Sequence, residues 1–527
     1  MILGDPTIAM PQVHGQSRVT LDEVFRRLAH RRPDALALVD APNRPAFTDG
    51  APRRLTYAEA DRMVAAIAGR LRRMGLSTDA VVGIQLPNIA ENLLAMLAVM
   101  RAGMIAAPLP LLWRRADAIA ALARVGAKAL ISCGQVGGFN HCQFAMRVAA
   151  EVFSIRYVCG FGQNLPDGVV PFDDLFVAEK LDPIPPLERE RQMNAAAHVA
   201  AVTFEVGADG LVPVARNHPE LLAGGLGVLL ESRMARESTL LSTLTPSSFA
   251  GLSMTLLPWL LSGGTLVFHH PFDQEVLAAQ LRDERPALLV VPGPVAFRLA
   301  ESGALPSKAP SAVVAAWRSP ERLAMSPVWR EADTTFTDVA IFGEAGIIPA
   351  RRGTGGRASP VSFGALGAPR GSAGGVVIAE ILRTEAGTVA LRGAMVPKHS
   401  FPPGAERSGH PHFRIARGGI VDTGYACRVD TATKAMVVTG PPSGLVSVGG
   451  YRFPLHDLQD VVGRIDKGAS LAGLPDPLIG QRLIGNAADR QTMQAALDAV
   501  GVNPIVVGAF RDRCDRGEAP GDAPPAG

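Results

Sequence analysis

Three sets of residues in this 527-residue chain have the types for chemistry. The five cysteines, Cys133, Cys142, Cys159, Cys427 and Cys514, are an odd set with no CxxC pair and no histidine at ligand spacing. Neither a zinc site nor a disulfide framework is expected, and a reducing cytoplasm suits free thiols. Gly134-Gln135-Val136-Gly137-Gly138 is the nearest approach to the GxGxxG turn that dinucleotide chemistry needs between a strand and a helix. Its spacing and context are wrong, which removes a nicotinamide-dependent oxidoreductase. The third set is cationic. Almost every basic residue is arginine and lysine is scarce, which bears on any reaction that needs a mobile ammonium group on a phosphate.

Such side chains need a scaffold, and the chain has the composition for one. It is 47% hydrophobic and 19% charged, with mean hydropathy +0.18, the profile of a soluble, well-packed protein. It exceeds the roughly 250–300 residues at which one core stops growing, so several folding units are expected. The net charge is +3 and the basic residues are scattered among acids, so no nucleic-acid footprint appears. The N-terminus lacks the basic-then-apolar layout of a signal peptide. Two apolar stretches, 93–112 and 252–268, are broken by Arg101, Pro108 and Pro110, and by Pro258 and Gly263-Gly264. They are expected to be buried helix–strand units and not membrane spans.

Apolar periodicity predicts helices over 21–28, 60–74, 90–101 and 115–125. Short β-branched runs at 35–40, 81–86, 128–133, 239–244, 265–269 and 287–292 predict strands. This is α/β alternation with parallel strands buried on both faces. Past residue 357 glycine-rich turns separate short strands, a β-rich subdomain. Residues 446–462 combine a strand, a Gly449-Gly450 turn and a helix start, and 504–510 is expected to be one more strand. The predicted organisation is a loose arm over 1–17, an α/β core over 18–356, the β-rich subdomain over 357–440, a hinge over 441–445, a small α+β domain over 446–512 and a disordered tail over 513–527.

The order of several segments resembles the adenylate-forming superfamily of acyl-CoA synthetases, luciferases and peptide-synthetase adenylation domains. Leu55–Ala60 (LTYAEA), Leu86–Gly103, Gly387–Val396, Gly418–Asp430 and Val446–Val462 each resemble a family element, in the family order, across four hundred residues. The resemblance implies an adenylate-forming fold, a large α/β domain with parallel sheets and a β-rich subdomain followed by a small α+β domain. It also implies acid–thiol ligation with ATP and Mg²⁺, then coenzyme A, and a carboxylic acid or acyl group as ligand.

The family's phosphate loop corresponds to Thr203–His218. Thr203, Gly207 and Gly210 are kept, but Phe204, Glu205, Val206 and Asp209 replace hydroxyl and glycine residues, and Val212 stands at the lysine position. Arg216 is the nearest substitute cation. Ile341–Gly346 is the counterpart of the Tyr-Gly-x-Thr-Glu stretch. Phe342 and Gly343 fall at its aromatic-glycine pair, and Glu344 is either the remnant of its metal-binding acid or a turn acid capping the next segment. Tyr425 replaces the acid that accepts both ribose hydroxyls; a phenol offers one hydroxyl on a large ring. Thr245–Leu252 resembles the element beside the acyl tunnel, with Ser248, Phe249 and Gly251 as pocket residues or as an ordinary buried helix start. Pro441, Ser443 and Gly444 take the hinge, where Pro441-Pro442 restricts rotation. The adenylation lysine has no counterpart, since no lysine follows Lys467, and the last domain is short for the family. Five altered motifs around one ligand point to relaxed need for ATP. The expected function is a ligase homologue with impaired or lost ATP-dependent activity, retaining a scaffold for an acyl ligand or a partner protein. An active carboxylic acid–CoA ligase using substituted residues is the alternative.

Overall fold

The computed structural model describes residues 19–177, 183–185, 194–306, 310–331, 333–370, 375–407, 409 and 411–511. The predicted arm over 1–17 and tail over 513–527 lie outside them. The described residues divide into two units, the first built from 19–111 and 118–443 and the second from 112–117 and 444–511.

The first unit holds three large sheets and a two-stranded one, Gln135–Val136 with Phe139–Asn140. A seven-stranded sheet runs Gly210–Asn217, Val199–Gly207, Ile105–Pro108, Val81–Ile84, Ala129–Cys133, Tyr157–Phe161 and Val170–Pro171. We label Val199–Gly207 β1 and Gly210–Asn217 β2. An eight-stranded sheet runs Gly346–Arg351, Thr335–Phe342, Ala312–Trp317, Leu288–Pro292, Leu240–Ser242, Leu266–Phe268, Leu36–Val39 and Arg54–Thr56. Thr335–Phe342 is β3 and Gly346–Arg351 is β4. The interior strands of both sheets pair in parallel, whereas β1–β2, β3–β4 and the Leu36–Val39/Arg54–Thr56 edge are antiparallel. The third sheet is six-stranded and antiparallel, drawn from residues 361–440.

Local chemistry explains the helices that frame the site. Leu21–Arg31, α1, starts at Thr20, and Tyr57–Arg73, α2, starts at Thr56. Each threonine accepts from the N–H three residues on, Glu23 or Glu59, whose carboxylate returns to the threonine N–H. The LTYAEA segment is thus the last residues of a strand followed by a capping box. His218–Ser232, α3, is started the same way by Asn217 and Glu220. Phe249–Met254, α4, is capped by Ser248, and Leu256–Ser262, α5, ends at Gly263 with φ 69°. α3 carries glycines where its neighbours press closest: a Cβ on Gly224 would lie 2.5 Å from the Phe249 ring, and one on Gly225 would lie 2.0 Å from Leu257 Cβ.

The apolar stretch 93–112 resolves into helix Ala90–Arg101, all but its last residue buried, and strand Ile105–Pro108. The stretch 252–268 resolves into the end of α4, α5 and strand Leu266–Phe268. No described helix is long and apolar enough to cross a membrane.

The second unit is a four-stranded antiparallel sheet, Tyr451–Pro454, Leu445–Val448, Gly480–Asn486 and Ser470–Asp476, with helices Leu455–Ile465 and Arg490–Val500. It has its own apolar core around Val462, Leu497, Val506 and Phe510. The strand expected over 504–510 is instead helix Pro504–Val507 and a 3₁₀ turn, Gly508–Phe510. Asn503 accepts from Ile505 N–H and Pro504 takes the first helical position, a start signal that outweighs the β-branched run after it.

Candidate functional site

The segment aligned with a phosphate loop folds as a hairpin. β1 and β2 pair continuously from Ala201↔Arg216 through Thr203↔Val214 and Glu205↔Val212 to Gly207↔Gly210. Only Ala208 and Asp209 remain for the turn, and Gly210 takes φ 105° to close it. Period-two alternation places Thr203 and Glu205 on one face of β1. Gly207 and Gly210 sit at the tip.

Across from Thr203 the β3–β4 hairpin turns through Gly343, at φ 56°, Glu344 and Ala345, closed by Ala345 N–H donating to Phe342 O at 3.1 Å. Glu344 is buried. Its Oε2 accepts from Thr203 Oγ1 at 2.5 Å and from Phe249 N–H at 3.0 Å, and lies 3.7 Å from Arg216 Nη1. Arg216 Nη2 donates to the Glu344 and Ala345 carbonyls, and its Nε donates to Met395 O at 3.3 Å. Its guanidinium carbon lies 3.7 Å from the centre of the Phe249 ring, a cation–π contact at short range. The Glu344 N–H donates to the Glu205 carboxylate. Thr203, Arg216, Phe249 and Glu344 therefore form one cluster, with Glu205 and the Met395 carbonyl as members that sequence reading did not assign. The Thr203–Glu205 spacing on a strand was the available signal for the former.

Burial dominates the electrostatics. It pushes the Glu344 carboxyl up, against the lowering influence of Arg216, and brings Arg216 down to about 10, against the raising influence of Glu344. Both partners shift toward neutrality, as expected when desolvation exceeds attraction across a 3.7 Å gap.

The other predicted residues surround this cluster or lie apart from it. Ser248 Oγ accepts from Gly251 N–H at 3.1 Å, and a Cβ on Gly251 would come 2.2 Å from the Thr245 carbonyl. Ser248 is partly exposed. Phe249 is fully buried between Gly224 and Arg216. Tyr425 is also buried, its ring edge-on to Phe342 with centroids 5.2 Å apart. Thr423 Oγ1 accepts from Tyr425 N–H at 3.3 Å and donates to Val389 O at 2.7 Å. Pro441 and Ser443 belong to the first unit and Gly444, at φ 75°, to the second. Pro442 packs 3.3 Å from the Cβ position of Gly424.

The Glu344 oxygen held by Thr203 and the Phe249 N–H is also the one nearest Arg216, so a metal ion on a nucleotide would compete with the guanidinium there, whereas among the described residues Oε1 has a single contact, the Phe249 N–H at 3.3 Å. Among the described residues no cluster of three metal-ligating side chains occurs.

Two mainly parallel sheets, an antiparallel third sheet and a small separate unit define the architecture of adenylate-forming enzymes. The family model described as AMP-binding enzyme matches residues 25–345, more than half of the sequence, and the chain belongs to that family. A salicyl-AMP ligase / salicyl-S-ArCP synthetase of Mycobacterium tuberculosis is 33% identical over 148 residues, 28% of this chain and 25% of that protein. A feruloyl-CoA synthase of an Amycolatopsis species is 28% identical over 236 residues, 45% of this chain and 43% of that protein. The matched stretches thus span a quarter to under half of these curated relatives. Among solved structures, the amide bond synthetase McbA from Marinactinospora thermotolerans superposes with TM-score 0.67 at 18% identity, covering 92% of this chain and 94% of that one. Apo MbtA from Mycobacterium smegmatis superposes with TM-score 0.61 at 19% identity, covering 93% and 90%. At these identities the superpositions show the fold alone.

Proposed function

We propose that this chain is an adenylate-forming ligase homologue whose ATP-dependent acid–thiol ligation is impaired or lost, and that its scaffold serves an acyl ligand or a partner protein. The observation that carries this reading is the Thr203–Arg216–Phe249–Glu344 cluster. Glu344, read as the remnant of the family's metal-binding acid, and Arg216, the nearest substitute for its phosphate-loop lysine, are turned on each other in the core. The zipped β1–β2 hairpin supports it, because backbone paired across a ladder cannot wrap an anion as an open glycine loop does. Tyr425, buried against Phe342, occupies space at the position of the ribose acid. Use of coenzyme A falls with the loss of ATP, and the Pro441-Pro442 hinge limits the domain swing the second half-reaction needs. The acyl ligand would reach the core beside Ser248, Phe249 and Gly251. The cytoplasm is the compartment that fits four buried free thiols, Cys133, Cys142, Cys159 and Cys427.

Calorimetric titration of the purified chain with MgATP and with AMP tests this, followed by thermal shift against a panel of fatty and aromatic acids. No nucleotide heat at micromolar concentrations, with an acid raising Tm, is expected; bound ligand stabilises by RT ln(1 + [L]/Kd). Clear micromolar binding of MgATP overturns the reading. The alternative, an active carboxylic acid–CoA ligase with substituted residues, draws support from the convergence of Thr203, Arg216 and Glu344 in one place. It requires acid-dependent pyrophosphate release that Arg216→Met abolishes.

A further inference from the structure

A cleft of about 870 Å³ opens where α1 and α2 lie side by side, away from the Glu344 cluster in sequence. Four arginines line it, Arg26, Arg27 and Arg31 from α1 and Arg62 from α2, together with two acids, Glu23 and Asp61. All four arginines are exposed.

The two acids are already committed. Glu23 Oε2 accepts from Thr20 N–H at 2.9 Å in the α1 capping box, and Asp61 Oδ1 takes Arg101 Nη2 at 2.5 Å. Arg26 lies near Asp22, but Asp22 accepts from Arg101 Nε at 2.7 Å. Among the described residues Arg27, Arg31 and Arg62 have no ion pair or side-chain hydrogen bond. Asp61 is balanced by Arg101, and Glu23 keeps its charge four residues before Arg27, so four guanidinium groups against one carboxylate leave the cleft with a net positive charge.

A bland account covers only part of this. Arg31, in the last turn of α1, complements the negative end of the helix dipole. Arg27 is a turn earlier, where the dipole gives little, and Arg27 and Arg31 are four apart on one helix face, where like charges destabilise each other. Arg62 adds a third charge from the opposite wall. Three guanidinium forks lining one open cleft suit a ligand with several negative oxygens, because each fork can bond two of them.

We propose that this cleft is a binding site for a small molecule carrying two or more phosphate groups, held by Arg27, Arg31 and Arg62 with Arg26 at its rim. The reading is independent of whether the family reaction is retained.

The test titrates the full-length chain with inorganic tripolyphosphate at low ionic strength, where exposed charges are least screened. Saturable binding is expected. Arg27→Gln with Arg31→Gln, and separately Arg62→Gln, should each weaken it by about tenfold or more, with melting curves matched to the parent. Arg27→Lys with Arg31→Lys keeps the charge but loses the forks and should fall between. Arg298→Gln, an exposed arginine on helix Gly293–Glu301, should leave binding unchanged. Vesicles separate the sources of the phosphates. Phosphoinositide vesicles that bind the parent and are displaced by tripolyphosphate identify a lipid headgroup, and tripolyphosphate binding without vesicle binding identifies a free polyphosphate. Absence of saturable binding, an equal loss in Arg298→Gln, or equally tight binding to phosphatidylserine vesicles lacking phosphate monoesters overturns the proposal.

Discussion

Arg216 and Glu344 are each costly to bury, and their geometry shows how the cost is met. Arg216 gains three backbone carbonyls and an aromatic face, and Glu344 gains a hydroxyl and an amide. Neither relies on the 3.7 Å ion pair alone. Arg216→Met keeps most of the volume but strands two turn carbonyls in the core, so a loss of about 3 kcal/mol in urea unfolding is expected. Glu344→Gln should cost less, ~1–2 kcal/mol, because an amide oxygen still accepts from Thr203 or Phe249. The double variant should be less destabilised than the sum of the singles, since the two share one network. A second residue sets a pH dependence. Burial, reinforced by His269, brings His270 down to about 4, with its ring edge-on to Phe47 at 4.9 Å. The unfolded chain takes up this proton as pH falls through about 6.5, whereas the folded chain resists until about 4. Its contribution is therefore complete above about pH 6.5 and lost between there and pH 4, by about 2 kcal/mol once partial exposure is allowed for. Urea midpoints measured from pH 7 to 4 should fall less steeply for His270→Gln than for the parent.

Elements decide what those residues can do, and glycine decides how closely the elements meet. Gly225 sits where α3 presses on α5, with room for a hydrogen and no more. Gly225→Ala should cost about 2–3 kcal/mol in urea unfolding, as overpacking of a rigid contact does. Gly210→Ala should cost nearer 1 kcal/mol, because the obstacle there is φ 105° and the surrounding space is open. If the two variants were equally affected, backbone strain and packing would not be separable in this way. These elements were unequally legible in the sequence. Helix Ala90–Arg101 and the apolar strands at 81–84, 129–133 and 288–292 could be read from runs of β-branched and small apolar residues. LTYAEA was legible as a motif, and its physics is the Thr56–Glu59 capping box. The hairpin was not. Expecting a loop between 203 and 218 rested on resemblance, although Val202, Phe204, Val206, Val212 and Val214 are good strand formers and Ala208-Asp209-Gly210 a turn. Nor could any spacing reveal that Arg216 and Glu344, 128 residues apart, point at each other. Pairing at such separation depends on how β2 and β3–β4 are laid in their sheets, which side-chain pattern alone does not encode.

At the scale of the whole molecule the split between Ser443 and Gly444 separates two units, each with its own apolar core. The second is small. Its four strands and helices bury Val446, Val462, Leu497, Val506 and Phe510, and a domain of this size has little stability to spare. The first unit's cores are several times larger and include nearly all the buried aromatic residues. Heating should therefore give two transitions, the smaller unit melting first, with most of the tryptophan fluorescence following the second transition, because Trp259, Trp317 and Trp329 lie in the first unit and Trp113 alone in the second. Leu497→Ala tests this directly. Leu497 is fully buried on helix Arg490–Val500, so its truncation removes about 2–5 kcal/mol through lost transfer energy and an unfilled cavity. The expected outcome in a calorimetric scan is loss or a large downward shift of the first transition, with the tryptophan-reported transition unmoved. Leu93→Ala, in the large core, should do the reverse, lowering the tryptophan-reported transition and sparing the first. Were both substitutions to move one common transition by similar amounts, the two units would be unfolding as a single cooperative body, and the Pro441–Gly444 segment would be a structural joint and not a boundary between independently stable parts.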